Sequence, residues 1–167
     1  AGDGGEGTLQ AVASALGGTM RQSTVTGPRG TPVTAQWATL PNRGAFIELA
    51  QASGLPLLPR DQQDPLLTTT RGTGELLRQA LELGCTSIYL AIGGSASNDG
   101  GMGLGSALGL RFLDREEREV PCCGAGLAQV ARIDTSSLLS QLKGASFTVL
   151  CDVRNPLLGP EGCAYTF

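Results

Sequence analysis

Apolar residues recur at Leu9, Val12, Ala13 and Leu16, the spacing of one helical face, so residues 8–16 are predicted as a helix. Glu6 or Thr8 can serve its first turn, and the Gly17-Gly18 pair stops it. The pattern then loosens into alternation through the β-branched Thr24, Val25 and Thr26, breaks at Gly27-Pro28, and resumes from Thr31 to Leu40. That reads as a β-hairpin, with a further short strand over 45–49. Pro56, Pro59 and Pro65 make 55–67 an extended loop. Leu76, Leu77, Ala80 and Leu83 define a helix over 74–83, stopped by Gly84. Residues 87–92 form an apolar run, as expected of a strand covered on both faces. A Gly-rich loop and a helix to about Leu108 follow, then a short strand over 111–113 and a charged surface turn over 115–118. Loop and short helix fill 127–142, and 147–151 is a last strand. Helices alternate with strands, so the class is α/β or mixed α+β.

The loop carries the strongest chemical signal. After an apolar strand and before a helix stand Gly93, Gly94, Ser95, Ala96, Ser97, Asn98, Asp99, Gly100 and Gly101. That layout aims free backbone N–H groups at an anion. The serine hydroxyls add donors, and Asn98 and Asp99 can orient a ligand or a metal. The plainer alternative is a strand-to-helix turn with Asp99 as the helix cap. It is not a Walker A loop, because the single lysine, Lys143, is far from any Gly-rich turn. Nor do Gly101, Gly103 and Gly105 have the spacing of a dinucleotide fingerprint.

Three other polar turns lie at element ends. Asp3, Gly4, Gly5, Glu6, Gly7 and Thr8 open the first helix, where an acidic cap alone would suit the helix dipole. Thr68, Thr69, Thr70 and Arg71 precede another helix, and Arg71 can hold a carboxylate or phosphate. Asp152, Val153, Arg154 and Asn155 follow the last strand, where an Asx-type turn is the plainer reading. Four such turns suit a cleft for a small anionic ligand.

Composition narrows the chemistry. The chain has 167 residues, 41% hydrophobic and 16% charged, which suits a globular domain. A net charge of −3 argues against nucleic acid as a partner. No apolar run approaches the ~18 residues of a membrane span, and a cytoplasmic location is expected. There is no histidine, so acid–base work falls to Asp, Glu, Lys or Tyr. The five cysteines, an odd number without a CxxC pair, are expected to be reduced thiols and not a zinc site. With no starting Met and a last segment that reads as interrupted, the chain is expected to be an internal piece of a longer one.

From Ile92 to Gly103 the sequence resembles the bacterial glycerate kinase family, of the type phosphorylating the 2-hydroxyl. Further matching stretches are 3–8, 25–28, 47–50 with 52–55, 64–66 with 69–75, 107–109 with 111–114, and 151–153 with 155–157, all in the right order. Gly2, Ser97 and Cys163 stand where the family usually has Ala, Thr and Ala. The resemblance implies two α/β domains, the second inserted into a flavodoxin-like first. Residues 1–22 would be a remnant of the first domain and 23–167 the first part of the second. The apolar face of the 8–16 helix would then lack its packing partners and lie in water. The missing N- and C-terminal parts of the chain would carry the family's lysines, so this piece alone is expected to be inactive.

The resemblance also implies ATP and D-glycerate as substrates and Mg2+ as cofactor. Gly93, Gly94, Ser95, Ser97 and Asn98 are candidates for the phosphates or the glycerate carboxylate, as are Gly4, Gly5, Glu6, Gly7, Thr8, Thr70, Arg71 and Asn155. Asp3, Asp152 and Asp99 are candidates for the base, and Asp3 or Asp152 for Mg2+, since hard cations favour carboxylate oxygen. Which Asp does which stays open. The rival readings are a non-catalytic module binding small anions, or another enzyme handling phosphates of small hydroxy acids.

Overall fold

The computed structural model describes residues 7–156 and 158–163. One sheet organises it, in the order β1 (Thr19–Thr26), β2 (Pro32–Leu40), β3 (Gly44–Glu48), β4 (Ser87–Ala91), β7 (Ser146–Leu150). The first three strands are antiparallel and the last three parallel. Pro28 sits in the hairpin turn, where its fixed φ suits the reversal, and β1 and β2 pair in register from Thr19↔Thr39 to Thr26↔Pro32.

Side chains alternate across the sheet. Ala35, Trp37, Ala45, Ile47, Ile88 and Leu90 face one way and are covered by α2 (Ala50–Ser53) and α3 (Arg71–Glu82). Ala38, Phe46 and Ala91 face the other way and are covered by α1 (Thr8–Leu16), whose Leu9 and Ala13 are buried against them. This corrects the expectation that the α1 stripe lies in water: only Leu16, 56% exposed, does so. Burying Leu9 and its neighbours contributes roughly 2–3 kcal/mol per large side chain. The expected domain boundary after residue 22 falls inside β1, and α1 is built onto the same sheet.

The expected helices and strands form, with four differences, the first being the unanticipated short helix α2. Residues 55–57 and 60–62 of the proline-rich loop make single 3₁₀ turns. Helix α3 starts at Arg71, not at Gly74, and α4 is Met102–Ala107. Within 127–142 lies an unanticipated strand, β6 (Arg132–Asp134), paired with β5 (Arg111–Leu113). Surface ion pairs Arg111–Glu119 and Arg132–Glu117 flank that ribbon, a type worth about 0–1 kcal/mol each.

Helices α3 and α4 cross where Gly74 has no side chain. A Cβ there would lie 2.7 Å from Leu104 Cα and 2.8 Å from Ala107 Cβ, and closer still to the Leu104 carbonyl. Alanine favours a helix over glycine by about 1 kcal/mol, but overpacking costs about 1–3 kcal/mol or more where rigid backbone cannot give way. Gly74→Ala in the full-length protein is therefore expected to lower stability by about 2 kcal/mol. A denaturation midpoint at or above wild type would show that the helices do not approach this closely.

Candidate functional site

In open α/β sheets, ligands bind beyond the carboxyl ends of the parallel strands. Here that edge carries Glu48 at the end of β3, the 93–101 loop after β4, and Asp152 after β7. The loop is anchored on both flanks. Leu55 N–H donates to the Gly94 carbonyl at 3.0 Å, Ala96 N–H donates to Ser53 O at 2.9 Å, and the buried Thr68 hydroxyl donates to Ala96 O at 2.8 Å. Gly94 turns through the left-handed region (φ 70). The Ser95 and Ser97 hydroxyls share a hydrogen bond at 3.0 Å, and Ser97 N–H donates to Ser95 Oγ at 3.1 Å. Among the described residues, the N–H groups of Gly93, Gly94, Ser95 and Asn98 find no acceptor. Gly94 and Asn98 are exposed. A row of unused donors on a pinned loop is what an anion needs.

Asp99 lies just inside this loop and is 1% exposed. Its carboxylate accepts from Thr70 N–H (2.8 Å), the Thr70 hydroxyl (2.9 Å), Gly101 N–H (2.9 Å) and Gly103 N–H (3.1 Å). The Thr70 hydroxyl in turn accepts from Leu104 N–H at 2.9 Å. Four donors thus converge on this one carboxylate, which clamps the start of α3 to the start of α4, close to the capping alternative. Thr70, 6% exposed with its hydroxyl fully engaged, is likewise part of the clamp and not a free donor to substrate. Gly103 makes the clamp possible, since a Cβ there would stand 2.6 Å from Arg71 N and 2.9 Å from Asp99 Oδ2.

Arg71, the next residue, donates from Nε to Glu75 Oε1 at 3.2 Å and from Nη1 to Ser106 Oγ at 3.2 Å. Its side chain is 48% exposed, and the rest of its five donors remain for an anion. Asp152 is exposed, with no hydrogen bond to its carboxylate among the described residues. Asn155 is less free: its Nδ2 donates to Glu161 O at 3.1 Å. Of the opening turn, Gly7 is the left-handed residue before α1 (φ 90) and Thr8 is half-buried. Asp3, Gly4, Gly5 and Glu6 lie outside the described residues.

Glu48 was given no role from sequence, yet it is 1% exposed on a strand whose five residues are all buried. Its Oε1 accepts Leu9 N–H at 2.9 Å. Burial pushes its carboxyl above the usual range, a rise opposed by the Leu9 N–H and by Gln51. The signal was a charge closing the run Ala45-Phe46-Ile47. The five cysteines are free thiols. Burial pushes the Cys85 and Cys122 thiols up, away from the reactive thiolate form.

A pinned, donor-rich loop at the carboxyl edge of a mixed parallel sheet is the layout in which α/β proteins can receive a small anion. The chain belongs to the glycerate kinase family, whose model matches residues 1–167. It is 49% identical over 166 residues to a glycerate kinase of Bacillus subtilis (strain 168), covering 99% of this chain and 44% of that protein. It is 48% identical over 166 residues to the glycerate 2-kinase of Escherichia coli (strain K12), again 99% of this chain and 44% of the relative. The fold matches the crystal structure of a Salmonella typhimurium LT2 protein assigned as glycerate kinase 2. That match has a TM-score of 0.94 and 47% identity, over 99% of this chain and 44% of the other. The chain thus spans about 44% of the length of these relatives. Among the described residues no helix is long and apolar enough to cross a membrane.

Proposed function

We propose that the whole protein to which this chain belongs transfers the γ-phosphoryl group of ATP to D-glycerate, at the 2-hydroxyl. The observation that carries the reading is the pinned 93–98 loop with its unused N–H donors, at the sheet edge that also bears Asp152. Phosphoryl transfer asks the protein mainly to position the reactants and stabilise charge. The N–H groups of Gly93, Gly94, Ser95 and Asn98 hold phosphate oxygens or the glycerate carboxylate. Arg71 adds a charged donor to the same anion. Asp152 and Asp3 divide two tasks, accepting the proton from the glycerate hydroxyl and holding Mg2+.

The donor set suits that ion. Mg2+ is usually held by one or two carboxylates together with substrate phosphates and waters. An exposed carboxylate without competing hydrogen bonds among the described residues, as Asp152 is, fits that need. No group of three acidic, Cys or His residues among the described ones forms a dedicated cage. When bound, Mg2+ supplies charge neutralisation across the phosphates.

The full-length protein is expected to form ADP from ATP only when D-glycerate and Mg2+ are present. The 167-residue chain alone, supplying one wall of the cleft, is expected to turn nothing over. A coupled ADP assay on both decides. No glycerate-dependent turnover by the full-length protein removes the kinase reading. Phosphate release without nucleotide favours a phosphatase, and glycerate affinity without turnover a binding module. Saturable turnover by the short chain would place the whole site within it.

A further inference from the structure

The 93–98 loop has two ends, and they meet different neighbours. β4 and β7 stay paired up to Ala91↔Leu150, and Ile92 N–H donates to Leu150 O at 3.3 Å. The Gly93 end of the loop therefore leaves the sheet beside Cys151 and Asp152. The Asn98 end meets another surface. A Cβ on Gly124 would stand 3.2 Å from Asn98 O and 3.1 Å from Leu66 Cα. Ala125 N–H donates to Leu66 O at 2.8 Å, which joins the two segments that border this end. The Leu127 side chain lies over the following glycine, with Cδ2 3.1 Å and Cδ1 3.8 Å from where a Gly100 Cβ would be.

Both leucines are open to solvent, Leu66 by 58% and Leu127 by 43%. One exposed leucine says little. Two that border the same end of a loop with unused N–H donors form the lining that small-molecule sites use, apolar with a few polar groups. A ligand that engages both surfaces needs an anionic part and an apolar part. D-glycerate, a short hydroxy acid, has no apolar part to offer. ATP has both, with a ribose between them.

Resting on the kinase reading above, we infer that Leu66 and Leu127 seat the base of the nucleotide, so that the anion on the 93–98 loop is the phosphate chain of ATP and not the glycerate carboxylate. The direction of the chain follows. The base packs at the Asn98–Gly100 end, and the phosphates run along the loop toward Gly93. That brings the γ-phosphate to the end bordered by Asp152, where the acceptor hydroxyl has to give up its proton. Seated the other way round, the reactive end of the triphosphate would point at leucines.

The test measures binding to the full-length protein by calorimetry with Mg2+ present, using ATP and inorganic triphosphate as probes. Inorganic triphosphate carries the anion without the base. Leu66→Ser and Leu127→Ser are each expected to weaken ATP binding about fivefold, through lost apolar contact, and inorganic triphosphate binding by less than about twofold. Leu127→Met keeps the apolar surface and is expected to hold ATP within about twofold of wild type. Leu55 is also exposed, but its N–H donates to Gly94 O, nearer the other end of the loop. Leu55→Ser is expected to leave both affinities unchanged. Equal weakening of the two probes in the serine variants would overturn the inference, because the leucines would then only shape the loop. Unchanged ATP binding in both would overturn it as well, and a lowered denaturation midpoint would then show that another part of the chain covers these leucines. Loss of ATP affinity in Leu55→Ser alone would put the base at the wrong end and overturn it too. Inorganic triphosphate that fails to compete with ATP in wild type would remove the phosphate assignment. The kinase reading fails separately: ATP binding that needs both leucines, without glycerate-dependent turnover, removes that reading and leaves the base in its seat.

Discussion

Replacing Asp99 with alanine in the full-length protein is expected to lower kcat by about 10²-fold and stability by about 4 kcal/mol. The substitution leaves the Thr70 N–H, the Thr70 hydroxyl and the Gly103 N–H without their acceptor in a buried place, and the Gly101 N–H without its acceptor at an exposed one. Each orphaned buried donor costs roughly 1–3 kcal/mol, and partial relaxation brings the sum to the upper end of what single substitutions do. The kinetic loss has the same source. On the proposed function, the clamp fixes the end of the 93–98 loop whose N–H groups would stabilise charge in the transition state. Asp99→Asn is expected to be only a partial remedy, because its amide nitrogen must face at least one N–H. Thermal denaturation and the coupled ADP assay measure both effects. An alanine variant with wild-type kcat would mean that the loop keeps its shape without the clamp.

Asp152→Asn should separate the two quantities. The carboxylate is exposed and has no hydrogen-bond partner among the described residues, so stability is expected to stay within about 0.5 kcal/mol of wild type. If Asp152 accepts the hydroxyl proton or holds Mg2+, kcat falls by about 10²-fold or more. Asp3→Asn carries the same expectation for the other of the two roles. Near-normal kcat in both variants would reduce these carboxylates to turn-formers. A Mg2+ titration of each variant tells the roles apart, since loss of a ligand raises the Mg2+ requirement and loss of the base does not.

Much of this was legible because the deciding signals were local. The hairpin was marked by its turn residues, β4 by its apolar run, and the anion loop by its glycines between strand and helix. What escaped notice depended on distant partners. The start of α3 was read three residues late because Gly72 and Gly74 look like helix breakers. In the fold Gly74 lets α3 lie against α4, and close packing outweighs propensity. β6 is three residues, Arg132, Ile133 and Asp134, too short and too polar to show a period. The α1 stripe was legible, but not the sheet face that buries it, because Ala38, Phe46 and Ala91 come from three separate strands. Asp99 was singled out on its loop, but the clamp it makes was not foreseen. Nothing in its neighbours shows that Thr70, 29 positions earlier, takes its oxygens.

That last contact bears on how the loop can be moved or made. Its conformation is closed by Thr68 and Thr70 and by the Ser53 carbonyl, all from earlier in the chain. The stretch from Ile92 to Gly103, transplanted into another scaffold, would arrive without the parts that shape it. A peptide of that sequence should bind phosphate no better than any short glycine-rich chain. The same dependence places the loop late in folding. Closing contacts between distant segments must await the chain entropy spent in bringing them together, so the docking of α3 against α4 has to come first. The loop is therefore a product of the finished tertiary structure, and any anion binding by it during refolding would report completion of this sheet and its helices rather than an early local event.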